Sequence, residues 1–331
     1  MSEQLTTESA RDSIWPGEVI ILRDRESGSW AKILPESGCN LVGFGALVNG
    51  QEAEVMLQLS DENPSRPVAS YGAPVLFPFP SRVRDGEAHF GGKTIKLDRH
   101  PGQLHAIHGL VMGARFRVER RGVGPDGAFA RCSIVADPDR ILRQFPFPFR
   151  HTLTWRLSGK TLRIDVEAEN TGAEPMPMGF GWHPYFRLPL HVGGDRTAAT
   201  IEVPASRQWV LEDSLVPTGE TIPVPADRDF RKARAIGGIY FDDVYTAVDR
   251  SSGSSVCSIT DPATGLTIRV AAGATFREWV VYAPPTRPTI CFEPYTCPPD
   301  AFNLTERGID AGVIVLKPGT KWVDWVEVRI G

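Results

Sequence analysis

The sequence predicts an all-β protein, a large antiparallel sandwich or barrel. Three observations lead there. Short alternating segments follow one another with turn signals roughly every 8–12 residues. Helical periodicity is nearly absent, with only 137–144 and 301–307 offering a helical turn or two. The 32 glycines and 28 prolines are spread along 331 residues instead of gathering in a linker, as a fold with many tight turns requires.

Taken in order, residues 1–14 are polar and read as a loose N-terminal arm. Segments 18–22 and 29–34 flank a polar hairpin turn, and 40–48 is an apolar, glycine-rich strand. The stretch 59–74 holds Pro64, Pro67 and Pro74, a long loop of the kind that is often functional and a candidate cover for a pocket. At 87–97, Gly91 and Gly92 supply the positive φ of a hairpin turn. A second hairpin joins 115–120 to 128–136. The clearest is 150–157 with 161–169. There Leu153, Trp155 and Leu157, then Leu162, Ile164, Val166 and Ala168, alternate with polar residues, so one face lies in a core and the other in water. Further strands are expected at 201–203, 244–248, 256–260 with 266–271, 278–282, 289–292 and 321–330. No repeat and no linker divides the chain, which reads as one domain over 1–331.

Composition narrows the function. Hydrophobic residues make up 41% and charged residues 23%, and the formal net charge is −4. With no basic cluster, nucleic acid and anionic membrane surfaces are not expected partners. No apolar run reaches the length of a membrane span. The N-terminus lacks the apolar core of a secretory signal, so a cytoplasmic location is expected. The five cysteines, Cys39, Cys132, Cys257, Cys291 and Cys297, show no CxxC spacing, and neither a disulfide framework nor a metal site is expected. Gly122 to Gly127 fits GxGxxG, but Pro125 interrupts it and a strand follows, so it reads as a turn and not a dinucleotide loop. GxSxG, HExxH and P-loop patterns are absent.

Five stretches hold ionisable residues where a plain strand needs none. Met178 to Leu188 is apolar and aromatic around His183, a side chain able to exchange protons near neutrality. Aromatic walls of this kind suit the apolar face of a sugar ring. Arg82 follows a Phe-Pro-Phe-Pro run, His108 precedes a glycine in a loop, and Asp242 and Asp243 sit beside Phe241 and Tyr245. Glu293 ends an apolar strand before Pro294, a place where an unpaired glutamate is rarely buried. The first four have plain alternatives: a core histidine, a surface ion pair, an exposed loop histidine and a strand-start turn.

In order and spacing these stretches resemble the aldose 1-epimerase (galactose mutarotase) family. The segment FPFPSRVRDGEAHFGGKTIKL matches the one in which a binding arginine precedes a hairpin, at Arg82. AIHG matches the His-Gly loop at His108, and GWHPYFRL the His-x-Tyr-Phe segment at His183 and Tyr185. FDDVYT matches an Asp-x-x-Phe segment that selects Asp242 over Asp243, and CFEPYTCPPDAFN matches the Glu-Pro segment at Glu293. Ser81, Arg187 and Tyr295 depart from the Asn, Asn and Gln usual at positions expected to line or border the pocket. The resemblance implies a single galactose mutarotase-like supersandwich, a monomer or homodimer, acting on a small-molecule sugar without a cofactor. It implies Glu293 as base toward the C1 hydroxyl and His183 as acid toward the ring oxygen. Arg82, His108, Asp242 and Tyr185 would bind the sugar.

The chemistry agrees with that kit. Interconverting α and β anomers removes a proton from the C1 hydroxyl and delivers one to the ring oxygen, then reverses both after the aldehyde turns. One base and one acid suffice, with environments that push their pKa values apart, so that Glu293 is ionised and His183 can donate. Two other readings share the scaffold: a hexose-6-phosphate 1-epimerase, for which Arg84, Arg99 and Arg187 are candidate phosphate ligands, and a non-catalytic carbohydrate-binding protein.

Overall fold

The computed structural model describes residues 4–11, 15, 17–58 and 70–331. Nearly all regular structure is antiparallel strand. The largest sheet has nine strands. Arg117–Gly124, Gly127–Val135, Phe149–Ser158 and Thr161–Asn170 form consecutive hairpins, and the C-terminal strand Lys321–Ile330 inserts between Thr161–Asn170 and Thr267–Ala272. Ser255–Thr260, Thr200–Glu202 and Arg234–Ala235 complete it. The expected alternation holds in the central hairpin, where Leu162, Ile164, Val166 and Ala168 are buried and the residues between them only half so.

A second sheet, of eight strands, carries the candidate site. Its order runs Pro217–Pro223, Ala205–Leu211, Phe241–Val248, Glu278–Ala283, Thr289–Tyr295, Gly181–Trp182 and Val75–Leu76, with Tyr185–Arg187 also paired to Thr289–Tyr295. Phe241, Tyr245, Trp279, Val281, Ile290 and Phe292 point from this sheet into the main core, which they share with Leu153, Trp155 and Val166 of the large sheet. Alternation therefore turns Asp242, Val280, Tyr282, Cys291, Glu293 and Tyr295 to the opposite face. A five-stranded N-terminal meander, from Leu5–Arg11 to Gln51–Glu54, packs on the rest through Leu22, Ile33 and Phe44.

Several expectations change in detail. Part of the N-terminal arm, Leu5–Arg11, is an edge strand paired along its whole length with Glu18–Asp24. The hairpin Ala205–Leu211 with Pro217–Pro223 has no counterpart in the sequence reading; its strands are mostly half-exposed and bulged, so no apolar alternation marks them. Of the long loop, residues 59–69 lie outside the described residues. The helical turns fall where expected, at Ala301–Glu306 and Pro138–Leu142. Among the described residues no helix is long and apolar enough to cross a membrane.

Candidate active site

Strand register brings His183 and Glu293 together. Gly181 lies opposite Tyr295, and Tyr185 opposite Cys291. His183 interrupts the ladder midway between them and so falls opposite Glu293. Its backbone N–H donates to the carbonyl of Pro74, 3.0 Å away. Nδ1 of His183 stands 3.4 Å from Oε1 of Glu293. The hydroxyl of Tyr295 donates to the other carboxylate oxygen, Oε2. On the far side of the imidazole, Tyr185 stacks with a ring separation of 4.4 Å, and its hydroxyl lies 3.2 Å from Nε2. A hydroxyl donating to Nε2 leaves the neutral ring's proton on Nδ1, the nitrogen that faces Glu293.

The same register lays a row across four strands: Asp242 opposite Tyr282, Tyr282 opposite Cys291, Cys291 opposite Tyr185. Asp242 thus belongs to the site face. Asp243 points the other way and meets Arg228 at 3.4 Å. Arg82 and His108 arrive from a separate two-stranded ribbon, Arg82–Val83 paired with Ala106–Ile107. The His108 N–H donates to the Ser81 carbonyl at 2.8 Å, and His108 takes a left-handed backbone, φ 65°. Its ring meets that of His183 edge-on at 5.3 Å. Gly109 follows with φ +73°, and a Cβ there would come within 2.4 Å of the Phe77 carbonyl oxygen. Only glycine fits that contact.

Burial dominates the electrostatics. It pushes the Glu293 carboxyl well above the ordinary carboxylate range; the Tyr295 hydrogen bond and the Arg82 charge oppose it, while Asp242 adds to it. Burial pushes His183 well below the usual imidazole value, with His108 and Arg287 adding to the effect. His108 is pushed down to about 3, by burial and then by Arg82. Asp242 is raised by burial and drawn back by Arg82. Burial thus works against the charged forms of Glu293, His183 and His108. Burial works against the ionised Glu293 expected from sequence, a desolvation of a fully enclosed carboxyl that the expectation did not include. Tyr295 and Arg82 are the groups that favour the ionised carboxylate against this burial.

All six candidate residues, Glu293, His183, Arg82, His108, Asp242 and Tyr185, converge here by direct contact, register or mutual charge effect. Of the bordering positions, Tyr295 touches Glu293, whereas Arg187 lines a different cavity of about 550 Å³ with His191, Leu190 and Thr264. The other two arginines considered for phosphate are engaged elsewhere. Arg84 grips both carboxylate oxygens of Glu212, and Arg99 donates to the Leu104 carbonyl.

Sequence reasoning missed Arg287. It is buried, lies 5.0 Å over the Tyr185 ring, donates to the Ser70 carbonyl, and its charge draws the Tyr282 phenol back down against burial. Pro284, Pro285 and Pro288 surround it, so its segment reads as an ordinary turn. Cys291 was missed as well: it stands on the site face, fully buried, with its thiol pushed well up by burial. With His183 and Glu293 it offers one sulfur, one nitrogen and one oxygen, all within 4.8 Å of one another, a set able to hold a divalent ion.

Two antiparallel sheets over one core, with the site on the outer face of the smaller, define the galactose mutarotase-like all-β fold. A galactose mutarotase-like protein from Clostridium acetobutylicum superposes with a TM-score of 0.87 at 20% identity, over 99% of each chain. A galactose 1-epimerase from Lactobacillus acidophilus NCFM gives 0.75 at 18% identity, again over 99% of each. The aldose 1-epimerase family profile matches residues 24–329, and the chain belongs to that family, which places it among the carbohydrate epimerases. Among curated relatives, the uncharacterized protein YihR of Escherichia coli K12 is 24% identical over 257 residues, 76% of this chain and 77% of the relative.

Proposed function

We propose that this protein interconverts the α and β anomers of a free hexose, with Glu293 taking the C1 hydroxyl proton and His183 supplying one to the ring oxygen. The observation that carries the proposal is the 3.4 Å approach of His183 Nδ1 to Glu293 Oε1. The two oxygens that exchange protons in this reaction are bonded to the same carbon, so acid and base must stand close together. Tyr185 and Tyr282 supply aromatic wall, and Arg82, His108 and Asp242 supply polar contacts to ring hydroxyls. Arg82 and Tyr295 draw Glu293 toward the ionised form, and a bound sugar hydroxyl hydrogen-bonded to it acts in the same direction.

Polarimetry of freshly dissolved α-D-glucose and α-D-galactose tests this. The wild type should accelerate equilibration, and Glu293→Gln and His183→Asn should each lose about 100-fold or more, the scale of one positioned proton-transfer group. Activity on glucose 6-phosphate alone would replace the free sugar by a phosphorylated one. Sugar binding without turnover would make the chain a carbohydrate-binding protein.

A further inference from the structure

We propose that the sugar-free pocket binds one thiophilic divalent cation, Zn²⁺ foremost, through Nδ1 of His183, Sγ of Cys291 and a carboxylate oxygen of Glu293, and that the bound ion closes the pocket to sugar. The inhibitory consequence rests on the epimerase reading; the binding does not.

Two independent observations point to a ligand at this place. A ring nitrogen of His183, the sulfur of Cys291 and a carboxylate oxygen of Glu293 lie within 4.8 Å of one another on buried side chains. Nδ1 of His183 is sealed from solvent with no hydrogen-bond partner, and it is aimed at Glu293. In tetrahedral zinc sites, with bonds of about 2.0–2.3 Å, donor atoms stand roughly 3.5 Å apart. The nitrogen–oxygen pair already meets that spacing at 3.4 Å. From the 4.8 Å limit the thiol has at most about 1.3 Å to close. Three protein ligands leave a fourth position, which water would take.

The donor set also decides which ion. Arg82 and Arg287 place positive charge beside His183, which disfavours any cation held by charge alone. Mg²⁺ and Ca²⁺ are held in that way, by oxygen ligands, and are excluded. Zn²⁺ gains from the thiolate and imidazole and is not. On entry the ion displaces the thiol proton, and the carboxyl proton where present, to bulk water; His183 coordinates as the neutral ring, its proton moving from Nδ1 to Nε2, where the Tyr185 hydroxyl turns from donor to acceptor. The ion then sits between the proposed acid and base, where the anomeric carbon's oxygens would go.

The first test needs no turnover. Co²⁺ added to the wild-type protein should produce a thiolate-to-cobalt charge-transfer band together with the visible bands of a four-coordinate ion, at one ion per chain. Cys291→Ser should abolish the charge-transfer band, and His183→Asn should weaken Zn²⁺ binding in calorimetry by at least about tenfold. Cys297→Ser, at a buried thiol outside the set, should leave both unchanged. A cobalt spectrum without the thiolate band, or one that survives Cys291→Ser, overturns the proposal, as does loss of the band in Cys297→Ser instead. Should Cys291→Ser fail to fold, the wild-type spectrum and the His183→Asn titration still decide. In polarimetry, Zn²⁺ should inhibit the wild type and lose at least tenfold of its potency against Cys291→Ser, with Mg²⁺ and Ca²⁺ inert. A protein that gives the cobalt band but turns over no sugar would sink the epimerase reading and leave the ion site standing.

Discussion

The Tyr295 hydroxyl donates to Oε2 of Glu293 and leaves Oε1 facing Nδ1 of His183 at 3.4 Å. This bond stabilises the ionised carboxylate against the burial that raises it. Tyr295→Phe removes the donor and keeps the ring, which fills the space against Gly181. The Glu293 pKa should then rise further above its ordinary value. Because the proposed base works only when ionised, the acidic limb of kcat/KM should move to higher pH. Activity below the limb should fall by roughly tenfold, the scale of one hydrogen bond to a charged group, with little change well above it. A pH profile by polarimetry reads both. An unmoved or downward-shifted limb would show that Tyr295 does not tune the base.

Arg287 offers a different readout. Its charge helps hold His183 low, and its guanidinium covers the Tyr185 ring that stacks on His183. Arg287→Met keeps much of the stem and removes the charge. The His183 imidazole, followed by NMR, should titrate at a higher pH than in wild type, and KM should rise as Tyr185 loses the cation over its ring. A His183 titration identical to wild type would refute the electrostatic part of this account.

These two residues also mark where sequence reading succeeds and stops. Glu293 and His183 stood out because each is ionisable within an apolar, aromatic stretch, and burying such a group without a purpose is costly. That they meet depends on strand register, Gly181 opposite Tyr295 and Tyr185 opposite Cys291, which joins segments far apart in the chain. Period-two patterning gives each strand its faces and not its partner. The choice of Asp242 over Asp243 came from family resemblance, and alternation along Phe241–Val248 gives its physical reason. Arg287 sits among prolines, where nothing local distinguishes a buried guanidinium from an exposed one. The upward push on the Glu293 carboxyl was illegible for the same reason: desolvation is a property of everything packed around the group.

Glu278 yields a stability prediction away from the chemistry. It is buried beside Trp209, whose Nε1 donates to Oε2 at 3.1 Å, and burial pushes its pKa from 4.5 up to about 8. The folded value lies above the unfolded one, so the folded state binds the extra proton. The associated stability is present in full below pH 4.5 and is lost as pH rises to about 8. The loss amounts to at most ~5 kcal/mol by linkage. Glu293 and Asp242 slope in the same direction, so the comparison must be with Glu278→Gln, which keeps an acceptor for Trp209. Urea unfolding across this range should give a clearly flatter pH dependence for the variant. Parallel curves for the two proteins would mean that Glu278 does not carry the proton.

Asp300 anchors the segment that presents Arg82. Its backbone N–H donates to the Arg82 carbonyl at 2.6 Å, while its buried carboxylate accepts from the Arg84 N–H at 2.9 Å and from Asn303 at 2.7 Å. The residue holds a left-handed backbone, φ 59°, which Asn and Asp tolerate better than most. Asp300→Asn retains both the backbone preference and a side-chain acceptor, and should leave sugar KM close to wild type. Asp300→Ala loses the acceptor and strains the turn. It should cost about 1–3 kcal/mol of stability, the range for leaving a buried donor unsatisfied. Because Arg82 is proposed to hold a ring hydroxyl, KM should rise more than kcat falls. Denaturant midpoints and saturation kinetics separate the two effects. An alanine variant as tight and as stable as the asparagine one would show that the Arg82 segment holds its place without Asp300.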